Sequence, residues 1–191
     1  MKLLIFLGFS ILVFNACQTE VNPPHNQEEE EPFVSYSAKE VDWSCQYPRE
    51  WGQLVDMPME ENQTALLLLQ KDEFNFMTSI TEPFDSSLSS FNELNISTML
   101  IMKAFYEEDG RKANVNLDKI TIDGLTFFVI DSEILKKGSE EEVFMQQTMY
   151  NGLLNDTTAL NIRISYNNVA DKKILTDIIA SSKIGKQAIE L

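Results

Sequence analysis

The chain has 191 residues, which leaves room for one domain and little more. Its 30 Asp and Glu residues outnumber 15 Lys and Arg, so the formal charge is −15. Phosphate backbones and anionic lipid headgroups repel such a surface, and we expect no nucleic-acid partner. Hydrophobic residues make up 43% of the chain, including 12 Phe, which is typical of a domain with its own core.

Cysteine and histidine are scarce. The chain contains two cysteines, Cys17 and Cys45, and a single histidine, His25. Two cysteines form no zinc site without histidines, and His25 lies in a polar segment outside the expected fold. We therefore expect no metal site, no cofactor and no histidine-based catalysis.

The N-terminal residues predict a targeting signal. Residues 3–14 form a continuous apolar stretch that is too short to span a bilayer and is typical of a secretory signal. The stretch runs into "VFNAC", ending at Cys17, which resembles the lipobox of bacterial lipoproteins, where cleavage precedes the lipid-carrying cysteine. An ordinary signal peptide with a free Cys17, and a buried N-terminal helix, are the alternatives.

The lipobox interpretation sets the expected location. It predicts a lipoprotein signal peptide over residues 1–16 and palmitate-type acyl chains on Cys17. The protein is then held at the bacterial cell membrane or the outer membrane, with its domain outside the cytoplasm. Residues 17–32 are rich in glutamate and proline and predict a disordered acidic tether.

The folded domain is expected over residues 33–186. "VDWSCQYP" places Val41, Trp43, Cys45 and Tyr47 on one face of a strand, with Cys45 as a small buried hydrophobe. Short apolar runs at 64–70 and 74–80 predict two further strands.

A change of period marks a helix near residues 88–107. Apolar residues there recur at steps of three and four, and Gly110 supplies a stop after them. Ser90 and Glu93 have the spacing of a capping box. Met99 and Met102 fit a core stripe better than a soft-metal site.

The second half of the domain predicts more strands and a closing helix. Asp123-Gly124, inside "ITIDGLTFFVID" (120–131), is the strongest hairpin signal. Strands at 143–150 and 158–166 follow, and Asn168 caps a final helix. The order of elements predicts an α+β fold, an antiparallel β-sheet flanked by helices.

This order of elements resembles the PsbP-like fold and its DcrB-like bacterial branch. The resemblance is carried by "YPREW" (47–51), "FDSSLSSFNELN" (84–95), the hairpin at 120–131 and "KKILTDIIASSK" (172–183). It implies a PsbP-like sandwich. Members of that fold are mostly binding or assembly proteins, among them a photosystem accessory subunit, a Ran-binding import factor, chaperones and envelope lipoproteins. The family has no shared catalytic motif, so no catalytic residue is implied.

The leading hypothesis is therefore a lipid-anchored, non-catalytic envelope protein that acts as a binding or assembly accessory module for a protein partner. Tyr47 and Trp51 are its candidate partner-binding residues, because Trp and Tyr are favoured interface anchors. A role in the core is the alternative for both.

Two other functions stay open. A ligand or metal carrier would use Met57 and Met59, whose M-x-M spacing suits copper(I), or the acidic helix end at 107–109. A small hydrolase would use paired carboxylates, but the sequence does not say which of its acidic residues come together.

Overall fold

The computed structural model describes residues 32–38, 41–53 and 62–185. Within these ranges the elements, in chain order, are β1 Phe33–Ala38, β2 Trp43–Pro48, β3 Gly52–Gln53, β4 Thr64–Gln70, β5 Phe76–Pro83, α1 Phe91–Glu108, β6 Ala113–Ile122, β7 Leu125–Leu135, β8 Val143–Asn155, β9 Thr158–Tyr166, α2 Val169–Ala180 and β10 Lys183–Ile184. The predicted α+β class is confirmed, with antiparallel sheets and two helices.

Seven strands form the main sheet, in the order β3-β4-β5-β9-β8-β7-β6, and every neighbouring pair is antiparallel. Strands β6 to β8 are long, 10 to 13 residues each. The predicted hairpin joins β6 to β7: Asp123 and Gly124 have φ angles of 48° and 82°, and Ile122 pairs with Leu125. Positive φ at both central residues is what a type I′ turn requires.

A second sheet, which the sequence did not predict, has three strands in the order β1-β2-β10. It covers one face of the main sheet, here called the inner face, together with α2. The predicted buried face of β2 is confirmed for Trp43, Cys45 and Tyr47, which are 0%, 4% and 6% exposed, whereas Val41 lies in the turn before the strand. They pack in one cluster with Leu175 and Ile178 of α2 and the inner-face side chains of the main sheet. Burial of each large side chain there contributes about 1.5–3 kcal/mol.

Helix α1 begins at Phe91, three residues after the predicted start, and Leu88 before it is 82% exposed. The Ser90 side chain accepts a hydrogen bond from the Glu93 backbone, and the Glu93 carboxylate accepts one from Ser90, so the predicted capping box is present. Gly110, with φ of 75°, follows the end of the helix. Only glycine adopts that conformation without strain.

The helix lies on the outer face of the main sheet, mainly over β6 and β7. The Phe91 ring contacts the rings of Phe84 and Phe128, with centroids 5.3 and 5.7 Å away. Asn95 is the only fully buried residue of α1. One helix therefore covers one side of a seven-stranded face, and this decides where the candidate site lies.

Candidate functional site

Five large apolar side chains of α1 are exposed, and three of them, separate from Ile96 and Leu100, share one side of the helix. Leu94, Ile101 and Phe105 are 38%, 67% and 67% exposed. Their spacings of seven and four residues are close to two turns and one turn, so they share one side of the helix. We call these three residues the α1 stripe. Exposed apolar side chains grouped on one side of a helix are a candidate interaction surface.

The end of α1 beside this stripe is acidic. Glu107, Glu108 and Asp109 lie at the C-terminus, where the helix has no basic residue in its last turn. Asp109 pairs with Arg111 at 2.8 Å, and Glu107 lies 3.8 Å from Lys103. Glu107, Glu108 and Asp109 thus lie near three basic side chains, Lys103, Arg111 and Lys137, and the helix dipole adds partial negative charge at this end.

A cleft of about 360 Å³ separates α1 from the part of the outer face formed by β5, β9 and β8. We call it the α1 cleft. Its apolar lining comes from Ile80, Phe91, Leu94 and Met149, and its polar lining includes three asparagines, Glu82 and Arg163. Its volume lies in the range of small-molecule sites, and eight of its twelve lining residues are polar.

Arg163 stands in the middle of β9, opposite Thr78 of β5 and Met149 of β8. The side-chain amide of Gln147 is buried, and its oxygen and nitrogen are assigned so that both have suitable partners. In this orientation the Gln147 oxygen accepts hydrogen bonds from Nε and Nη2 of Arg163. Arg163 is exposed to solvent, although the protein around it lowers the pKa of the guanidinium by desolvation and Tyr106 opposes that effect. Within the described part of the chain, Arg163 forms no ion pair with a carboxylate.

Two asparagines join α1 to the cleft floor. Asn151 Nδ2 donates to Asn95 Oδ1 at 2.7 Å, and Asn95 Nδ2 donates to the Phe91 carbonyl oxygen at 2.7 Å. Asn151 Oδ1 is buried and has no hydrogen-bond partner among the described residues. Buried side-chain oxygens are normally paired, so this one is available to an N–H or O–H donor.

Glu82 marks the other end of the cleft. Gln63 Nε2 donates to its carboxylate at 3.2 Å. Glu82 follows Thr78, the strand neighbour of Arg163, by four residues, which is roughly 13 Å along a strand. The cleft therefore has a cationic end and an anionic end, and the sheet positions between them carry Ile80, Asn161 and Asn151.

A second, polar cleft of about 270 Å³ lies near the start of α2, lined by Asp131 and Glu133 of β7, Tyr166 of β9 and Lys172 of α2. Asp131 and Glu133 are two residues apart on one strand, so they share a face. Thr148 donates to Asp131 at 2.6 Å, and Gln146 to Glu133 at 3.0 Å. This is a carboxylate pair that sequence reasoning did not identify.

The two predicted partner-binding residues lie in the core. Tyr47 is 6% and Trp51 1% exposed, and both belong to the main hydrophobic cluster. The period of β2 directs Tyr47 inward, and Trp51 follows the turn back onto the same cluster. The expectation that these aromatic rings are exposed is corrected, and neither presents a docking surface to solvent.

Other predicted residues lie elsewhere. Cys17, Met57 and Met59 fall outside the described residues. Cys45 is buried, and desolvation raises the pKa of its thiol to about 12, as expected for a structural cysteine.

Within the described ranges, no three His, Cys, Asp or Glu side chains are placed to hold a metal ion together. Neither described helix has the length and hydrophobicity that a bilayer-crossing segment needs.

Sequence reasoning missed Arg163 and Asn151, although part of the signal was present. The predicted inward face of 158–166 included Ile162 and Ile164, so Arg163 between them had to point outward. The sequence did not show that this outward side lies in a cleft beside α1, because that depends on where the helix packs on the sheet.

No protein-family model matches the chain, and no curated protein matches it significantly. Among solved structures, it is similar to cyanobacterial PsbP (CyanoP) from Synechocystis sp. PCC 6803, with a TM-score of 0.60 and 13% identity over 81% of this chain and 93% of that one. A crystal structure from Bacteroides thetaiotaomicron VPI-5482 aligns with a TM-score of 0.44 and 11% identity, over 78% of this chain and 47% of that one. The first likeness shows a PsbP-like fold, as predicted, and at this identity it shows the fold alone.

Proposed function

Starting from the PsbP-like fold, we propose that this chain is a lipid-anchored, non-catalytic protein of the bacterial envelope. It acts as a binding or assembly accessory module for another protein. The anchor is the lipidated Cys17, and the acidic residues 17–32 are the tether. Support for the anchor comes from the lipobox-like "VFNAC" after an apolar stretch. The finer assignment to the DcrB-like branch belongs to the same proposal.

The α1 stripe carries the docking part of this proposal. Leu94, Ile101 and Phe105 expose large apolar side chains on one side of a helix, while the core has enough other apolar residues to fill it. Keeping such groups in water forgoes about 25 cal/mol per Å² of burial. A partner that covers the stripe recovers that free energy.

The charge around the stripe specifies the partner's chemistry. Glu107 and Glu108 lie at the end of α1, and the whole chain has a formal charge of −15. The partner is therefore a protein surface with apolar residues flanked by lysine or arginine, because complementary charge speeds association and rejects acidic surfaces.

In-cell photo-crosslinking tests the docking surface. A photoreactive residue at position 101 should capture one dominant envelope protein, and Ile101→Ser with Phe105→Ser should abolish capture by a probe at position 94. The matched control is Val169→Ser, because Val169 is also an exposed apolar residue, 84% exposed, but lies on α2. If the double substitution leaves capture at position 94 unchanged, the α1 stripe is not the docking surface.

The anchor has its own test. Cys17→Ser should release the protein from membranes and abolish labelling with a palmitate analogue, while Cys45→Ser should leave both unchanged. Continued lipid labelling of the Cys17→Ser protein would contradict the lipobox interpretation.

A second candidate function, a ligand carrier, is favoured by one observation. The α1 cleft of about 360 Å³ is lined by Arg163, which forms no ion pair among the described residues, and by Asn151, whose buried side-chain oxygen has no hydrogen-bond partner there. Nothing about this arrangement requires the protein partner, and both functions can belong to one domain.

A further inference from the structure

We propose that strand β6 pairs antiparallel with β6 of a second copy of this chain, with Leu117 at the two-fold axis. The two seven-stranded sheets then join edge to edge into one. This goes beyond the docking proposal, because it concerns the edge of the main sheet rather than the α1 stripe.

The first step is that the β6 edge is open. Strand β6 ends the main sheet, and no described strand pairs with its free side. It pairs with β7 from Ala113 to Ile122 without a shift of register. Short length, a proline or a bulge usually protects such an edge from other chains, and β6 has none of the three. A long, regular edge of this kind can accept an added strand.

The layers on the two faces of the sheet leave this edge accessible. On the inner face, Asn114, Asn116 and Asp118 are exposed. On the outer face, Asn95 joins α1 to Asn151 of β8, which lies two strands in from the edge. A second strand can therefore approach β6 without displacing α1.

The second step is which backbone groups point outward. Leu135 donates its backbone N–H to the Lys112 carbonyl oxygen at 2.9 Å, and the Asp123-Gly124 turn closes on the pair Ile122 and Leu125. Hydrogen-bonded and non-hydrogen-bonded pairs alternate in antiparallel sheets, so the even-numbered residues of β6 bond to β7. The odd-numbered residues direct their N–H and C=O groups to the free side. These are Ala113, Val115, Leu117, Lys119 and Thr121.

The one lysine of β6 does not protect the edge. Lys119 Nζ lies 4.3 Å from the centroid of the Phe128 ring on β7, so the side chain folds back over its own sheet. The outward backbone N–H of Lys119 donates to Asp118 Oδ1 at 2.7 Å. Pairing exchanges this bond between neighbouring residues for one to a carbonyl oxygen of the second copy, and it frees the carboxylate.

The third step is that charge selects the register. With Leu117 at the axis, all five outward residues of each strand pair, and Asp118 faces Asn116 of the second copy, whose amide can donate to it. An axis at Asp118 sets two carboxylates directly opposite each other, and an axis at Lys119 sets two lysines opposite each other. Like charges in such pairs are destabilising. A shift the other way leaves Thr121 outside the paired strands.

Disulfide formation in the full chain carrying Cys17→Ser tests the pairing and its register. In the proposed dimer, residue 114 faces residue 120 of the second copy with Cα atoms about 4.5 Å apart, within the range of a disulfide. The two residues at position 114 are roughly 20 Å apart, as are the two at position 120. A mixture of the Asn114→Cys and Ile120→Cys proteins should therefore form a disulfide dimer, and neither protein alone should form one.

Charge variants test the same contact in solution. The net charge of −15 opposes association, so we expect a weak, reversible dimer with a Kd of about 0.1 mM or lower by sedimentation. Asn116→Asp sets a carboxylate opposite Asp118 and should raise the Kd at least fivefold, while Asn116→Lys should lower it. Asn92→Asp and Asn92→Lys make the same changes of net charge at an exposed site on α1 and should leave the Kd unchanged.

Three results would overturn the proposal. They are a protein that stays monomeric at that concentration, equal effects of the substitutions at positions 116 and 92, and association without the mixed disulfide between positions 114 and 120. The last result would assign the association to another part of the chain, such as the apolar residues 3–14. These assays need no other protein, so their outcome is independent of the docking proposal.

Discussion

Lys71 and Asp171 are one hundred residues apart in the chain, and their side chains meet at 2.7 Å. Lys71 follows β4, and Asp171 lies in the first turn of α2 with its side chain 3% exposed. Asn168 Nδ2 donates to the same carboxylate at 2.7 Å. Burial by itself would raise the pKa of Asp171, but hydrogen bonds from Lys71 and Asn168 outweigh it, so the pKa is lowered.

This relationship predicts a pH-dependent loss of stability. Asp171→Asn should lower the free energy of unfolding at pH 7 by about 1–3 kcal/mol, the cost of weakening hydrogen bonds to a buried charge. The folded pKa lies below the ordinary value of 3.8, so the carboxylate contributes its stability above that pH. The contribution is lost as the pH falls through the folded pKa. Urea unfolding from pH 7 down to pH 3 measures both effects.

The matched control is Asp177→Asn on the same helix. Asp177 pairs with Lys173 at 2.5 Å, but both side chains are more than half exposed. Exposed pairs at this helical spacing contribute about 0.2–0.5 kcal/mol. If the difference in free energy of unfolding between the Asp171→Asn protein and the parent protein stays constant from pH 7 to pH 3, the predicted pH dependence is wrong.

A second prediction concerns the hydrogen bond that joins α1 to the main sheet. Asn95→Ala removes the acceptor of the Asn151 amide and should lower the free energy of unfolding by about 1–3 kcal/mol. Because Asn95 is the only fully buried residue of α1, hydrogen exchange of the α1 amides should accelerate more than that of β7 and β8. Asn92→Ala, at an exposed site on the same helix, should leave exchange unchanged. Uniform acceleration across α1 and the sheet would show that Asn95 has no local role.

A third prediction tests the packing of β8 on β7. A Cβ atom at Gly152 would lie 2.8 Å from Cε1 of Phe127, which is fully buried. Gly152→Ala should therefore destabilise the protein by about 1–3 kcal/mol through overpacking. At Gly52 the new Cβ would meet the Gln70 carbonyl oxygen at 3.5 Å, an ordinary contact, so Gly52→Ala is the control. Thermal unfolding of both variants compares them, and an equal loss of Tm would contradict the steric explanation.

A fourth prediction concerns Cys45. Its thiol is buried with a pKa raised to about 12 by desolvation, so little thiolate exists at pH 8. In the Cys17→Ser protein, where Cys45 is the only cysteine, iodoacetamide should label the folded chain at least a hundredfold more slowly than the urea-unfolded chain. Mass spectrometry over time measures this. Labelling of the native protein at the unfolded rate would mean that Cys45 is accessible.

Much of the fold followed from local patterns. The Asp123-Gly124 turn, the capping box at Ser90 and the cap at Asn168 were predictable, because each depends on neighbouring residues and backbone conformation. The alternation in β2 gave its buried face for the same reason. The second sheet was not predictable as a whole: β1 pairs with β2 as a local hairpin, but β10 has only two residues and pairs with β2 across most of the chain.

The candidate site shows the limit of periodicity. The apolar residues of α1 recur as an amphipathic helix should, but Leu94, Ile101 and Phe105 stay exposed while Asn95 is buried. Spacing tells which residues share a side of a helix, and it does not tell how far the opposing sheet extends beneath it. Tyr47 is the opposite case. The alternating pattern of β2 predicted that its side chain faces inward, and the sheet opposite is wide enough to bury it.

The sequence by itself determined the turns, the caps, the strand alternation and the acidic charge, because those depend on residues within a few positions of one another. Only the tertiary structure decided that α1 covers β6 and β7 and leaves β5 and β9 open, that Arg163 lies in the resulting cleft without a carboxylate, and that Lys71 reaches Asp171. Each of these depends on where whole elements pack, and packing joins residues whose separation along the chain carries no local signal.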